Sequence, residues 1–224
     1  MVDQVKLKKA ILRRDKADTK IIKESMVMRN EIREGLNEGR DIFGYTMGML
    51  NVIDIVEVAS ECAGGECDLA LSTWSIAQAD VMKLGALKDQ GLIQNCRMII
   101  DPSVGSRRPA EVELLYHMFG QNAVRSVNTH AKFVVLQGKE KTLTVLSTMN
   151  FTKNPRIEQF QCIHGDDIAV TTLEMVDDIW DKCDPGENFT TQAMDNFEKL
   201  RDRMQGDLGL DDGFDMSMNN FSAL

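Results

Sequence analysis

The sequence predicts an α/β fold, and three observations carry that expectation. Between residues 67 and 127, β-rich apolar runs alternate with helix-length runs, which implies strands joined by crossover helices. Residues 133–146 hold two β-rich runs around a Gly-containing turn, the pattern of a hairpin. The 224 residues are 43% hydrophobic, ordinary for one globular core with added arms.

The elements follow in order. Residues 1–44 are charged and helix-prone, with apolar positions at Ile11, Ile21, Ile22, Met26, Met28, Ile32 and Leu36. They are read as a helical arm that packs one stripe on the body or on a second subunit, or else clamps DNA. Phe43–Ala59 is rich in Met, Ile and Val and is read as a buried helix beginning after Gly44-Tyr45; Ala63-Gly-Gly65 breaks it. Cys67–Trp74 is a strand, Ser75–Asp89 a helix ending near Gly91, and Cys96–Asp101 a second strand. Pro102–Pro109 is a loop of breakers and basic residues, including Arg107 and Arg108. Ala110–Phe119 is a helix and Ala123–Val127 a short strand leading to His130. Gln159–His164 is a β run. The helix 171–182 carries Leu173, Val176, Ile179 and Trp180 as a packing stripe, stopped by Asp184-Pro-Gly186. Residues 184–205 hold a short charged helix at 189–204. Residues 206–224 are acidic and aperiodic, read as a mobile tail or, through Phe214 and Phe221, a docking peptide for a protein partner.

Bulk properties narrow the function. No apolar run reaches about 18 residues, and the N-terminus lacks a signal-peptide core, so a cytoplasmic protein without a membrane span is expected. The five cysteines are odd in number and scattered, which suits reduced thiols, and neither they nor the three histidines have metal-ligand spacing. The net charge of −9 argues against a generic nucleic-acid coat. Its distribution is uneven, however. Residues 97–156 hold nine Lys/Arg against four acids, and residues 166–224 hold four against fifteen. The basic segment surrounds the chemistry described next.

His130 and Lys132, two apart at a strand start, project to the same side. The second strand of the hairpin ends in Ser147-Thr148-Met149-Asn150, and Lys153 and Glu158 follow. A cation, hydroxyls, an amide and an imidazole gathered at one sheet end suit a phosphate: Lys neutralises charge, Thr and Asn hydrogen-bond, and His attacks or transfers a proton. His117 and His164 lack such company and are read as structural.

This ordered set resembles the phospholipase D superfamily, whose signature is H-x-K, then an Asp, then G-S-x-N. His130-Ala131-Lys132 matches the first element, and Ser147-Thr148-Met149-Asn150 stands in the place of the last, with Thr148 for the family Ser. The continuation Asn150-Phe-Thr-Lys153 with Glu158 is similar to the small single-motif bacterial endonucleases of that superfamily. The family Asp is Gln137 here. The resemblance spans residues 45–183 and implies one domain with a mixed sheet flanked by helices on both faces. It also implies a metal-independent phosphodiesterase without cofactor: His130 as nucleophile, Lys132 and Asn150 on the phosphoryl oxygens, Glu158 orienting His130. Ser147, Thr148, Lys153, Arg107 and Arg108 are the candidate substrate contacts. With one H-x-K per chain, a two-fold homodimer would supply the second imidazole. A nuclease is the leading expectation. The alternatives are a nucleic-acid- or protein-binding module that has lost turnover, suggested by Gln137, and a lipid phosphodiesterase, disfavoured because no amphipathic surface helix is evident.

Overall fold

Among the described residues, nine strands join in one mixed sheet. The structure is a computed structural model and describes residues 10–13, 16–21, 25–153 and 155–185. The elements are β1 (Ala10–Arg13), β2 (Lys16–Ile21), α1 (Ser25–Asn37), β3 (Ile42–Met47), α2 (Val52–Cys62), β4 (Cys67–Thr73), α3 (Gln78–Asp89) and β5 (Ile93–Ile100). They continue with α4 (Ser103–Arg107), α5 (Pro109–Phe119), a 3-10 turn (Gln121–Ala123), β6 (Val124–Ser126), β7 (Phe133–Gln137), β8 (Thr142–Ser147), β9 (Ile157–His164) and α6 (Asp166–Lys182). The strand order is β2-β1-β3-β9-β8-β7-β4-β5-β6.

The α/β expectation holds, and helices cover both faces. On one side α1, α2, α3 and α5 pack on Ile42, Leu69, Leu71, Met98, Val134, Val145 and Phe160, all almost fully buried. On the other, α6 lays Val176 and Ile179 over Ala70, Ile99, Phe133 and Val135, with Leu173 and Trp180 against them. Burying each such large side chain contributes about 1.5–3 kcal/mol. The stripe expected on the last helix is therefore the one that packs, although α6 begins earlier, at Asp166. All five cysteines are free and buried. No helix among the described residues is long and apolar enough to cross a membrane.

Two readings are corrected. Among the described residues, the arm expected to be helical combines strand and helix: β1 pairs antiparallel with β2 and with β3, while α1 is a helix. Met28, Ile32 and Leu36 of α1 are buried, while Met26 is exposed. The helix expected over Phe43–Ala59 is split: Ile42–Met47 is strand β3, alternating buried and more exposed positions, and the helix starts at Val52. Asn51 caps it through a capping box with Asp54: the Asn51 side chain accepts from Asp54 N at 3.1 Å, and Asp54 accepts from Asn51 N at 3.0 Å. Gly44 is required in β3, because a Cβ there would lie 2.5 Å from the buried Phe160 ring on β9. A smaller difference is that α4 lies within the segment read as a loop. The expected helix at 189–204 and the tail at 206–224 lie outside the described residues.

Candidate active site

Strand directions bring the candidate residues to one edge of the sheet. β4, β5 and β6 are parallel and end together at Thr73, Ile100 and Ser126. β7 runs antiparallel to β4, pairing Phe133 with Ser72, so it starts where β4 ends. β8 returns to that edge, since Leu146 pairs with Phe133, and β9 leaves it, since Ser147 pairs with Phe160. His130 and Lys132 thus sit before β7, Thr148 and Asn150 after β8, Glu158 at the start of β9, and Trp74 and Asp101 after β4 and β5. Sites in α/β sheets lie outside the carboxyl ends of parallel strands in this way.

The His130 side chain is exposed. Lys132 Nζ lies 3.4 Å from His130 Nδ1 and donates to the His130 carbonyl at 2.9 Å. Lys132 is half-buried. Burial pushes its pKa below the ordinary lysine value, and the nearby Glu158 carboxylate partly opposes that. The segment carrying Asn150 is tied to both neighbours: Ser147 N donates to Lys132 O at 3.1 Å, and Ala77 N donates to Phe151 O at 2.7 Å. The Asn150 Oδ1 atom is buried and meets no hydrogen-bond partner among the described residues. The orphaned atom is an acceptor; the amide nitrogen Nδ2 is the atom able to donate to a phosphoryl oxygen.

Thr148 and Glu158 form a unit. Thr148 Oγ1 donates to Glu158 Oε2 at 2.5 Å and accepts from Gln159 N at 2.9 Å. The hydroxyl proton expected for substrate is committed to the carboxylate. No hydrogen bond among the described residues joins Glu158 to His130, the contact that the family resemblance implies. Ser147 is likewise occupied: its hydroxyl donates to Gln159 O at 2.9 Å and accepts from Met149 N at 2.9 Å. Lys153 is exposed on the loop between β8 and β9. Arg108 closes on Glu111 at 3.1 Å at the start of α5. Gln137 ends β7 at the far edge, opposite Asp68 and Thr142, so the missing family carboxylate lies a strand's length from the imidazole. His164 is structural as expected, its Nε2 2.9 Å from the Leu36 carbonyl, and His117 is exposed on α5.

Sequence reasoning overlooked a second tier. The Trp74 ring centroid lies 5.8 Å from that of His130, and the Arg107 guanidinium stacks over Trp74 at 4.2 Å. Asp101, 9% exposed, accepts from Thr129 N at 3.3 Å and holds Ser103. Trp74 and Asp101 directly follow β4 and β5, strands expected from the sequence and found parallel, and the ends of such strands are the signal that would have found them.

No family model matches the chain, and no curated protein matches it. Solved structures do. Polyphosphate kinase from Porphyromonas gingivalis aligns at 14% identity with a TM-score of 0.49, over 66% of this chain and 27% of its own. TrmBL2, an archaeal chromatin protein described as showing a novel mode of DNA binding, aligns at 11% identity with a TM-score of 0.38, over 83% of this chain and 57% of its own. The chain thus spans about a quarter of the first and little more than half of the second.

Proposed function

We propose that this chain is a phosphodiesterase of the phospholipase D type that cleaves nucleic acid. The observation that carries the reading is the gathering of His130, Lys132 and Asn150 at one sheet edge. Residues 97–156, which hold these three, are net basic in an otherwise acidic chain, as an anionic substrate requires.

In the proposed reaction His130 Nε2 attacks phosphorus and displaces one ester oxygen, giving a phosphohistidine; water then releases the phosphoryl group. Covalent catalysis divides one hard displacement into two easier ones. Lys132 and Asn150 stabilise the charge developing on the phosphoryl oxygens. A cation and an amide perform that task without a metal ion. The leaving oxygen needs an acid, and a second copy of His130 across a two-fold axis supplies it. The pair Met47 and Ile157, in register on β3 and β9, is exposed with Tyr45 close to this edge. Those side chains offer a second copy an apolar surface beside the site.

One observation favours a second reading, a nucleic-acid-binding module without turnover: the Glu158 carboxylate is engaged by Thr148 rather than by His130. Gln137 does not favour it, because its place is the opposite end of β7. A nuclease assay in EDTA on single- and double-stranded DNA and on RNA decides between the two. Cleavage by the wild type and none by His130→Ala supports the enzyme; binding without cleavage by the wild type supports the module.

A further inference from the structure

We propose that Trp74 and Arg107 are positioning residues that hold the His130 imidazole in its reactive orientation, with Asp101 as their common anchor. This rests on the reading of His130 as the reacting group.

The geometry forms two arms from one carboxylate. Asp101 Oδ1 accepts from Ser103 N at 3.0 Å and from the Ser103 hydroxyl. Ser103 in turn holds Arg107: its Oγ lies 2.8 Å from Nη2, and its carbonyl accepts from Nε at 3.1 Å. Arg107 Nη2 also donates to the Trp74 carbonyl at 3.3 Å, while the guanidinium carbon lies over the indole, 4.2 Å from its centroid. The indole then meets the imidazole with planes tilted by 52°. The other arm is short. Asp101 Oδ2 accepts from Thr129 N at 3.3 Å, one residue before His130. Ser72 fixes the following residue through the Ala131 carbonyl at 3.0 Å, and it shares a hydrogen bond with the Thr129 hydroxyl at 3.1 Å. The backbone on either side of His130 is therefore fixed, yet its ring is exposed. Trp74 and Lys132 are what restrict that ring.

The same contacts set Arg107 apart from a phosphate ligand. Two of its three guanidinium nitrogens, Nε and Nη2, already donate to protein acceptors, so the fork that grips a phosphate with two parallel bonds is spent. Stacking a planar cation on an indole is also a task that lysine performs poorly. A nucleophile displaced by about 1 Å loses rate on the order of a hundredfold. The predicted signature is therefore a loss in kcat rather than a rise in KM.

The test compares wild type, Arg107→Lys, Trp74→Phe, Trp74→Ala and His130→Ala with bis(p-nitrophenyl) phosphate in EDTA. The histidine ring signals of each 13C-labelled protein are also recorded without substrate, His130 being assigned by its loss in His130→Ala. The proposal expects Arg107→Lys to lower kcat by roughly ten- to a hundredfold with KM within about twofold. Trp74→Phe recovers most of what Trp74→Ala loses. The His130 ring signals move in Arg107→Lys and Trp74→Ala as the indole shifts. A variant Arg107→Lys with wild-type kcat and a raised KM makes Arg107 a substrate contact and overturns the proposal. So do unmoved His130 signals in both folded variants. If His130→Ala hydrolyses the probe as well as wild type, the proposed function fails instead, and the ring signals alone decide whether the clamp exists.

Discussion

The Asp101→Asn substitution tests how the edge of the sheet is held together. Asp101 is 9% exposed, so water does not readily replace a partner it loses. Its carboxylate accepts from Ser103 N, the Ser103 hydroxyl and Thr129 N. An asparagine has one acceptor oxygen. If that oxygen keeps Ser103, the amide nitrogen faces Thr129 N–H, donor against donor. Leaving one such donor unsatisfied costs about 1–3 kcal/mol. In a chain of this size each kcal/mol lowers the melting temperature by about 2–4 °C, so a fall of about 2–12 °C is expected by calorimetry at pH 7. Asp101→Ala orphans both backbone donors and is expected to cost about twice as much. The isosteric Asn variant is also expected to lose activity, because the backbone before His130 loosens. Both variants melting within about 1 °C of wild type would refute the reasoning.

Three further outcomes are expected. Burial holds the Lys132 pKa below its unfolded value, so its charge destabilises the fold in full below the folded pKa, and the cost is relieved as pH rises toward about 10.5. Lys132→Met is therefore expected to be inactive but more thermostable than wild type at pH 7, with the gap narrowing as melting is followed to pH 10. Asp80, buried and 2.7 Å from Asn51 Nδ2, has its pKa pushed up to about 6, first by burial and then by the Asp54 charge. Stability should then fall as pH rises from about 4 to about 6, and Asp80→Asn, followed by urea unfolding at each pH, should abolish that slope and add up to about 3 kcal/mol at pH 8. The double substitution Met47→Asp with Ile157→Asp puts charges on the proposed dimer surface, and light scattering should show monomers without nuclease activity; active monomers would sink the shared-site mechanism.

What was legible in the sequence was local. The hairpin showed because β7 and β8 are short β-rich runs around a Gly turn; His130 and Lys132 lie just before β7 rather than in it, and Lys132 Nζ still comes within 3.4 Å of His130 Nδ1. Strand β3 was hidden because only residues 48–51 separate it from the apolar residues of α2, and a short apolar run does not reveal its period. The capping pair Asn51 and Asp54 marked the helix start and was overlooked. Strands β1 and β2 were illegible for a different reason: they pair with each other locally but reach the sheet only through β1 on β3, which is distant in sequence, and pairing overrides local propensity. At the site, His130, Lys132 and Asn150 came from the motif. The Arg107–Trp74 stack did not, because its members are 33 residues apart and meet only once β4 and β5 lie side by side. Nor did spacing reveal that Thr148 turns to Glu158, since a side-chain rotamer sets that contact.

Alkaline quenching during turnover, followed by peptide mass analysis, addresses the phosphohistidine directly. The account predicts a phosphoryl adduct on the peptide containing His130 that forms and decays with substrate, and none in Lys132→Met or His130→Ala. Rapid turnover with no adduct on His130, or with the adduct on another residue, would contradict it.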